Sequence, residues 1–416
     1  MSVVIVGSGL VGAATALGLH QVGIKSALYD QVNPIEAVVD GRPIEFGETG
    51  GSVMIQAGGL RVLKTLGLLD ECLKQGISSH YASWQKIDGS APIIADSEAW
   101  NEHAGERDPK MKAPLQILRS RLHSILIQAC HKAGIKTYVG KKLLEVKQDA
   151  SSVTAIFADG SSATADLLIG ADGIHSATRR KVFGENLTAN YTGEIGYIGV
   201  VNMKEHNITL KPKEEAAFYV DRDKQYYASV FKVTDEIGVV RMSTFGENDE
   251  EDQSAQYRPY TDLPKHAGRL ADLMHTWNVA PHVEKMMRCA FRISAANRVI
   301  LIGDAAHGMV PNAGLGLLTG LEDVGILLAL FRHFNKQEQW NKALDLYSKN
   351  RVACATKNAN QARATRANSL STSIVGGRLN HFVQRVVVAA ANSGYVKTYT
   401  VFDCEAEVAK LIADSQ

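Results

Sequence analysis

The 416 residues exceed what one hydrophobic core usually serves, so two interleaved or consecutive domains are expected. Hydrophobic residues at 45% and charged residues at 21% place the chain among ordinary folded proteins and exclude a disordered one. A formal charge of +1 leaves no electrostatic footprint for nucleic acid or an anionic membrane, so a neutral or small ligand is the expected partner.

Five cysteines, Cys72, Cys130, Cys289, Cys354 and Cys404, stand far apart, with no paired spacing and no histidine-rich cluster, which argues against a bound metal. The apolar stretch from Val386 to Ala391 is too short to span a bilayer, and Met1 leads straight into a strand without room for a leader. A soluble, cytoplasmic protein in a reduced compartment is the expectation.

In chain order, Val3 to Val6 is a β-branched run followed by Gly7-Ser8-Gly9-Leu10-Val11-Gly12 and by a helical stretch from Ala13 to Gln21. A second apolar run, Ser26 to Tyr29, ends in Asp30 and completes a βαβ unit. Gly58 to Leu66 and Arg121 to Ala133 read as further helices, and Ala165 to Gly170 as a buried parallel strand. Such alternation predicts a parallel sheet covered on both faces. After about Tyr191 the runs become shorter and β-rich: Gly196 to Asn202, Ala216 to Val220, Tyr226 to Val233 and Gly238 to Phe245, an expected antiparallel sheet. Strand character returns at Val299 to Ile302, followed by Gly303-Asp304 and a helix from about Gly316 to Phe331. Helical sequence then continues from Asn335 to the end, with a break expected at Gly376-Gly377.

The expected fold class is therefore α/β. A Rossmann-like nucleotide-binding domain with a parallel sheet occupies 1–75, 105–185 and 290–345, an inserted antiparallel β-sheet domain occupies 76–104 and 186–289, and a C-terminal helical segment occupies 346–416.

The glycines of the first motif let the turn close, let backbone approach a pyrophosphate, and let the helix offer its unpaired N–H groups to the anion. Gly7, Gly9, Leu10, Val11 and Gly12 are the candidate contacts. Asp30 follows at close to the roughly 20-residue spacing expected of a ribose-binding acid. A glycine-rich structural turn is the plainer alternative. Two later segments decide between nucleotides. Gly170-Ala171-Asp172-Gly173-Ile174-His175-Ser176-Ala177-Thr178-Arg179 follows a strand, with Arg179 suited to an acidic neighbour or a phosphate. Leu301-Ile302-Gly303-Asp304-Ala305-Ala306-His307 precedes Pro311, Gly314, Gly316 and Leu321-Glu322-Asp323.

In these three segments the chain resembles the group A FAD-dependent monooxygenases, the aromatic hydroxylases, in their salicylate hydroxylase-like branch. The later two resemble that family's GADGxxSxxR and GDAAHxxxPxxGxGxNxxxED elements, and the likeness extends over nearly the whole chain. The resemblance implies an FAD-binding domain with an inserted substrate domain. It places Asp172 and Gly173 near the flavin, Gly303 and Asp304 at the ribitol, and Pro311, Gly314, Leu315, Gly316 and Leu317 along the isoalloxazine. Arg119 is implied as a contact to cofactor ribose or phosphate, and Arg42 is a second candidate; either arginine is otherwise an ordinary surface charge.

The implied chemistry is reduction of FAD by NADH or NADPH, addition of dioxygen at the flavin C4a position, and delivery of one oxygen atom from the hydroperoxide to a small aromatic substrate. FAD would be held tightly and NAD(P)H would dock transiently, since no second GxGxxG follows. Neither a monomer nor a homodimer is favoured. Candidate substrate contacts are Tyr197, Tyr219, Tyr227, Phe231, Arg241, Met242 and Pro311, with core packing the competing role for each aromatic. His175 and His307 can move protons or can simply satisfy carbonyls, and neither is assigned as a base.

The chain departs from the family where Leu315 and Leu318 replace Gln and Asn, where Ala57-Gly58 replaces Pro-Asn, and where Ile198 replaces an arginine. These departures leave open a flavin-dependent dehydrogenase or reductase that inserts no oxygen. A non-catalytic flavin-binding regulatory protein is the remaining alternative.

Overall fold

The structure, a computed structural model, describes residues 2–32, 51–86, 88–188, 194–221, 226–245, 298–309, 314–370, 374–396 and 402–415. Strand β1 (Ser2–Val6) passes through the glycine turn into helix α1 (Leu10–Gln21) and the chain returns as β2 (Lys25–Tyr29). Then come β3 (Ser52–Ile55), α2 (Ala57–Thr65), α3 (Leu69–Gln75), β4 (Ile77–Ser78), β5 (Tyr81–Lys86), β6 (Ile93–Asp96), α4 (Ser97–His103) and α5 (Pro109–Lys112). The middle of the chain forms β7 (Leu115–Leu118), α6 (Arg119–Lys132), β8 (Lys136–Tyr138), β9 (Leu143–Gln148), β10 (Val153–Phe157), β11 (Ser162–Ala165), β12 (Leu167–Gly170) and α7 (Ala177–Phe183). Four longer strands follow: β13 (Glu194–Asn202), β14 (Ala216–Asp221), β15 (Tyr226–Lys232) and β16 (Ile237–Phe245). The chain ends with β17 (Val299–Leu301), α8 (Asp304–His307), α9 (Gly316–His333), α10 (Trp340–Leu370), α11 (Ile374–Asn392) and α12 (Cys404–Ala413).

The parallel sheet has the order β17-β12-β1-β2-β8, with β1 at its centre, pairing in register with β12 (Val3 beside Leu167) and β2 (Val3 beside Ser26). Because successive side chains alternate across a strand, Val3, Ile5, Leu167 and Ile169 join one core with α1, α6 and α9, while Val4, Val6, Leu168 and Val299 join another. This second face is covered by the antiparallel meander β9-β10-β11 through Leu143, Val153, Ala155 and Phe157, and by Ala177, Val182 and Phe183 of helix α7. Strands β9 to β11 are short, half-polar runs that bury one side each, so they form a lid and not a core helix.

A second, six-stranded sheet has the order β13-β16-β15-β14-β5-β6. It is antiparallel as expected except where β14 runs parallel to β5 (Ala217 beside Ser83), so that the inserted strands join the earlier excursion in one sheet. Between the two large sheets lies a small one, β3-β7-β4, whose faces divide cleanly. Val53, Ile55, Leu115 and Ile117 pack into the main core, whereas Leu118 packs on Val200, Val233, Ile237 and Val239 of the second sheet.

The helical tail differs from expectation at one place. Gly376-Gly377 lies inside α11, so the expected break does not fall there, and residues 371–373 before α11 lie outside the described residues. Two glycines cost an interior helix only about 1 kcal/mol each, which tertiary packing overrides. Asn392 supplies part of that packing: its side-chain oxygen accepts from Asp96 N–H (3.0 Å) and Trp100 Nε1–H (2.7 Å), and its Nδ2 donates to the Ile94 carbonyl (3.0 Å). Among the described residues no helix is long and apolar enough to cross a membrane.

Candidate FAD site

The first motif is a turn in which only glycine fits. Gly7 has φ +104°, its N–H donates to the Tyr29 carbonyl (2.8 Å), and a Cβ there would collide with the carbonyl of Ala171. The turn that carries Asp172 is thereby pressed against the N-terminus of α1. That terminus has no side-chain cap and no acid in its first turn, so its N–H groups remain available to an anion. Asp30 accepts from Ser8 N–H (2.6 Å) and Ser8 Oγ–H (2.8 Å) on one oxygen and from Val32 N–H (3.0 Å) on the other, so it both locks the turn and keeps acceptor capacity for a hydroxyl.

Sequence reasoning missed His123. It lies one helical turn after Arg119 on α6 and donates Nε2–H to the Ser8 carbonyl at 2.7 Å. Burial, and the nearby Arg119 charge, push its pKa below the usual histidine value despite that bond, so the ring is neutral at physiological pH. The spacing of four was the available signal. Arg119 itself is exposed, its N–H bonded to the Gly51 carbonyl (3.0 Å), and among the described residues no acid pairs with its guanidinium.

The Asp172 carboxylate faces its own turn. One oxygen accepts from Ser176 Oγ–H (2.5 Å) and the other from Thr178 N–H (2.9 Å) and Thr178 Oγ–H (3.0 Å), while Gly173 takes φ +74°. Arg179, read as a partner for an acid or phosphate, is instead 2% exposed and binds carbonyls: Leu187 (3.0 Å), Ile174 (2.5 Å) and Ala305 (2.7 Å). It fastens the second motif to the third.

In the third motif, Gly303 has φ +60° and packs on Val11, with room for a Cβ only at 3.0 Å from Val11 Cγ2. Asp304, immediately after it, is exposed, and among the described residues no donor is bonded to its carboxylate. Its Oδ1 lies 3.9 Å from the Cβ position of Gly316, the first residue of α9, which again starts with no side-chain cap and no acid. Gly314 is exposed, Leu315 is buried, and Leu317 packs on the main core. Arg42 and Pro311 lie outside the described residues.

Behind this loop is a buried polar cluster that the sequence did not reveal. Asp323 accepts from Gly303 N–H (2.9 Å) and His307 Nε2 (2.6 Å) on one oxygen and from Arg351 Nε–H (2.6 Å) on the other. Arg351, from α10, also reaches the Thr319 carbonyl (3.2 Å) and Glu322 (3.4 Å). Burial opposes ionisation of Asp323, but the His307 and Arg351 charges outweigh it and hold its pKa below the usual carboxylate range. Burial likewise opposes the charge on His307, and the Asp323 carboxylate overcomes it to raise that pKa above 6.5. Glu322 goes the other way: burial dominates and raises its pKa, since Arg351 is farther from it than from Asp323. His175, by contrast, is exposed.

The register of the second sheet sorts the substrate candidates. Tyr227, Ser229 and Phe231 share a face with Arg241 and Ser243, and the same face carries Ile198 and Val239, which lie against Gly51 (2.6 Å and 3.2 Å from its Cβ position). That face therefore meets the cofactor-binding half. Tyr219 stands on the opposite face, in one row with positions 197 and 242, whose side chains lie outside the described ones. Phe231 packs edge-on to Phe218 (5.6 Å) in a cluster with Val388 of α11, so its place is between sheet and helix. Arg241 is the cross-strand partner of Ile198, which lies at Gly51, whereas the Tyr227 ring is 6.3 Å from that of Phe218.

At the Gly58 departure a Cβ would meet Phe402 Cβ at 3.2 Å, with Leu318 Cδ1 in ordinary contact at 3.5 Å.

Replacing Arg351 with Met leaves Asp323 a buried, undercompensated charge, and an expected loss of about 3 kcal/mol or more, read by chemical denaturation, reflects that. The His307 contribution has a defined pH dependence. Its folded pKa is raised, so the stabilisation is complete below about pH 6.5 and is lost as pH rises through the folded value. The melting temperature of the His307→Gln variant is therefore expected to approach that of the wild type between about pH 6 and about pH 9, and a gap that stays constant would contradict the assignment.

A family model described as "FAD binding domain" matches residues 1–362. Among curated proteins, an FAD-dependent urate hydroxylase of Mycolicibacterium vanbaalenii is 28% identical over 361 residues, covering 80% of each chain. A 6-hydroxynicotinate 3-monooxygenase of Bordetella bronchiseptica is 24% identical over 364 residues, covering 85% of this chain and 88% of its own. Among solved structures, Klebsiella pneumoniae HpxO complexed with FAD and uric acid superposes with a TM-score of 0.70 at 20% identity, over 96% of this chain and 98% of that one. The motif geometry and the matched length agree, and the chain belongs to the FAD-binding-domain family, that of the FAD-dependent aromatic hydroxylases.

Proposed function

We propose that the protein is an FAD-dependent monooxygenase that uses NAD(P)H and dioxygen to hydroxylate a small aromatic or phenolic compound. The observation that carries the reading is the exposed Asp304 carboxylate, bonded to no donor among the described residues, beside the uncapped start of α9. Bound FAD supplies electron transfer from nicotinamide to dioxygen and delivery of an oxygen atom to the ring. The chain's own residues do the rest. Asp30 accepts an adenosine ribose hydroxyl, Arg119 and the N–H groups at the start of α1 meet the pyrophosphate, and Asp304 accepts from the ribitol. The N–H groups around Gly316 stabilise negative charge at the pyrimidine edge of the ring. Val239, buried against Gly51, keeps water from that side of the site.

The relatives support the substrate class, since by their names they act on urate and on 6-hydroxynicotinate. NAD(P)H is proposed as a transient co-substrate because the chain carries a single glycine-rich dinucleotide motif. Leu315, Leu318 and Ile198 favour a second reading in which hydride moves without oxygen insertion, because the first two replace polar residues beside the flavin and the third replaces a strand arginine.

Replacing Asp304 with Ala removes a carboxylate that accepts no hydrogen bond among the described residues, so melting of the cofactor-free protein is expected to stay within about 1 kcal/mol of wild type. Its dissociation constant for FAD, by fluorescence titration, is expected to rise roughly tenfold or more. Turnover of a panel of phenols and hydroxylated heteroaromatics under labelled dioxygen is expected to give product carrying one labelled oxygen; unlabelled oxidised product would select the dehydrogenase reading instead.

A further inference from the structure

Helix α11 buries one side and leaves an apolar side uncovered. Val388 and Ala391 are buried, Val388 in a cluster with Ala82, Ile93, Ala95 and Ala216 of the second sheet. Away from that side stand Phe382, Val383, Val386 and Val387, whose spacing of i, i+1, i+4 and i+5 places them together. They are 64%, 47%, 52% and 48% exposed. Tyr395 (88%) and Val396 (41%) continue the apolar surface past the helix end, because both of their N–H groups bond back to the Ala390 carbonyl of the last turn. Single exposed apolar side chains are ordinary, but six that adjoin along one element mark a contact surface.

The charge around this surface says what it meets. From Leu346 to Phe402 the chain has no Asp or Glu and eight Lys or Arg, so the formal charge of +1 averages two unlike parts: this stretch, and a remainder with 37 bases against all 44 acids. Arg351 is paired with Asp323, and the other seven are spread over α10, α11 and the residues after it. Arg385 is exposed at the border of the apolar side, and α11 has no acid of its own. On the adjoining helix α4, Glu98 is paired with His80 (2.7 Å) and Glu102 with Lys112 (3.3 Å).

We propose that the exposed side of α11, with Tyr395 and Val396, docks on the surface of a membrane that contains anionic lipids, lying along the interface and not crossing it. The apolar side chains enter the acyl boundary, the tyrosine ring sits at headgroup level, and Arg385 with the basic stretch meets lipid phosphates. A second copy of the chain fits this face less well. Two-fold pairing of α11 with itself joins two arginine-bordered faces, with no acid on either helix to receive the charge. Docking by this side also holds the second sheet close to the lipid, since Val388 packs on that sheet from the opposite side of the same helix. The inference does not depend on the reaction proposed above.

The test sediments the full-length, FAD-loaded protein with vesicles of phosphatidylcholine alone and of phosphatidylcholine mixed with phosphatidylserine. Wild type is expected to bind the mixed vesicles about tenfold or more tightly than the neutral ones, a preference that shrinks at high salt. The double variant Phe382→Ser, Val386→Ser is expected to stay in the supernatant with both, and Arg385→Gln to bind the mixed vesicles about fivefold more weakly. These side chains are exposed, so the variants are expected to melt with wild type, and lost binding then cannot be lost folding. Wild type that sediments with neither vesicle, or a serine variant that sediments as wild type does, overturns the proposal. A wild type that is dimeric by light scattering, and that the serine substitutions make monomeric without changing vesicle binding, also overturns it and gives the face to a second copy.

Discussion

Asp323 is a fully buried carboxylate that remains ionised because donors converge on it from separate parts of the chain: the Gly303 N–H, the His307 ring and the Arg351 guanidinium. In a low-dielectric interior each of these bonds is strong only while the others persist, since an unpaired charge at that depth is strongly destabilising. The cluster therefore sets the position of the Gly303–His307 loop from behind. The exposed Asp304 carboxylate then projects from a loop whose backbone cannot drift. Arg179 does the same from the side, by gripping the Ala305 carbonyl.

The polar interior is layered beneath a dry one. Helix α9 starts with bare N–H groups at Gly316, carries Glu322 and Asp323 one turn or two further on, and finishes with Ile326 to Phe331 packed against α1 and the sheet. One helix thus presents partial positive charge to a ligand at one end and hydrophobic core at the other. Helix α12 closes over it: Cys404 packs against Gly325, and Asp403 both caps α12 and pairs with Arg61 of α2 at 3.0 Å.

The division of labour between the two large sheets also follows from periodicity. In the parallel sheet both faces of β1 are buried, so its residues run continuously apolar. In the second sheet one face meets the cofactor half and α11, and the other carries Tyr219 with Gln85. Polar and apolar residues alternate there, and the alternation assigns Tyr227 and Arg241 to the cofactor side and Tyr219 away from it.

The sequence by itself determined the local elements and the ligand-facing motifs: a β-branched run, a glycine turn and an acid after β2 dictate a dinucleotide-binding unit whatever surrounds it, because backbone sterics and helix ends act over a few residues. The resemblance of the later motifs likewise located Gly303, Asp304 and the start of α9. Only the tertiary structure decided what lies behind them. The meander covering the sheet, the run of α11 through Gly376-Gly377, the neutral His123, the Arg179 clamp and the Arg351–Asp323–His307 cluster each join residues far apart in the chain. Such pairings carry no periodic trace in one sequence, since a buried arginine and a solvated one look alike until burial and distance select the partner.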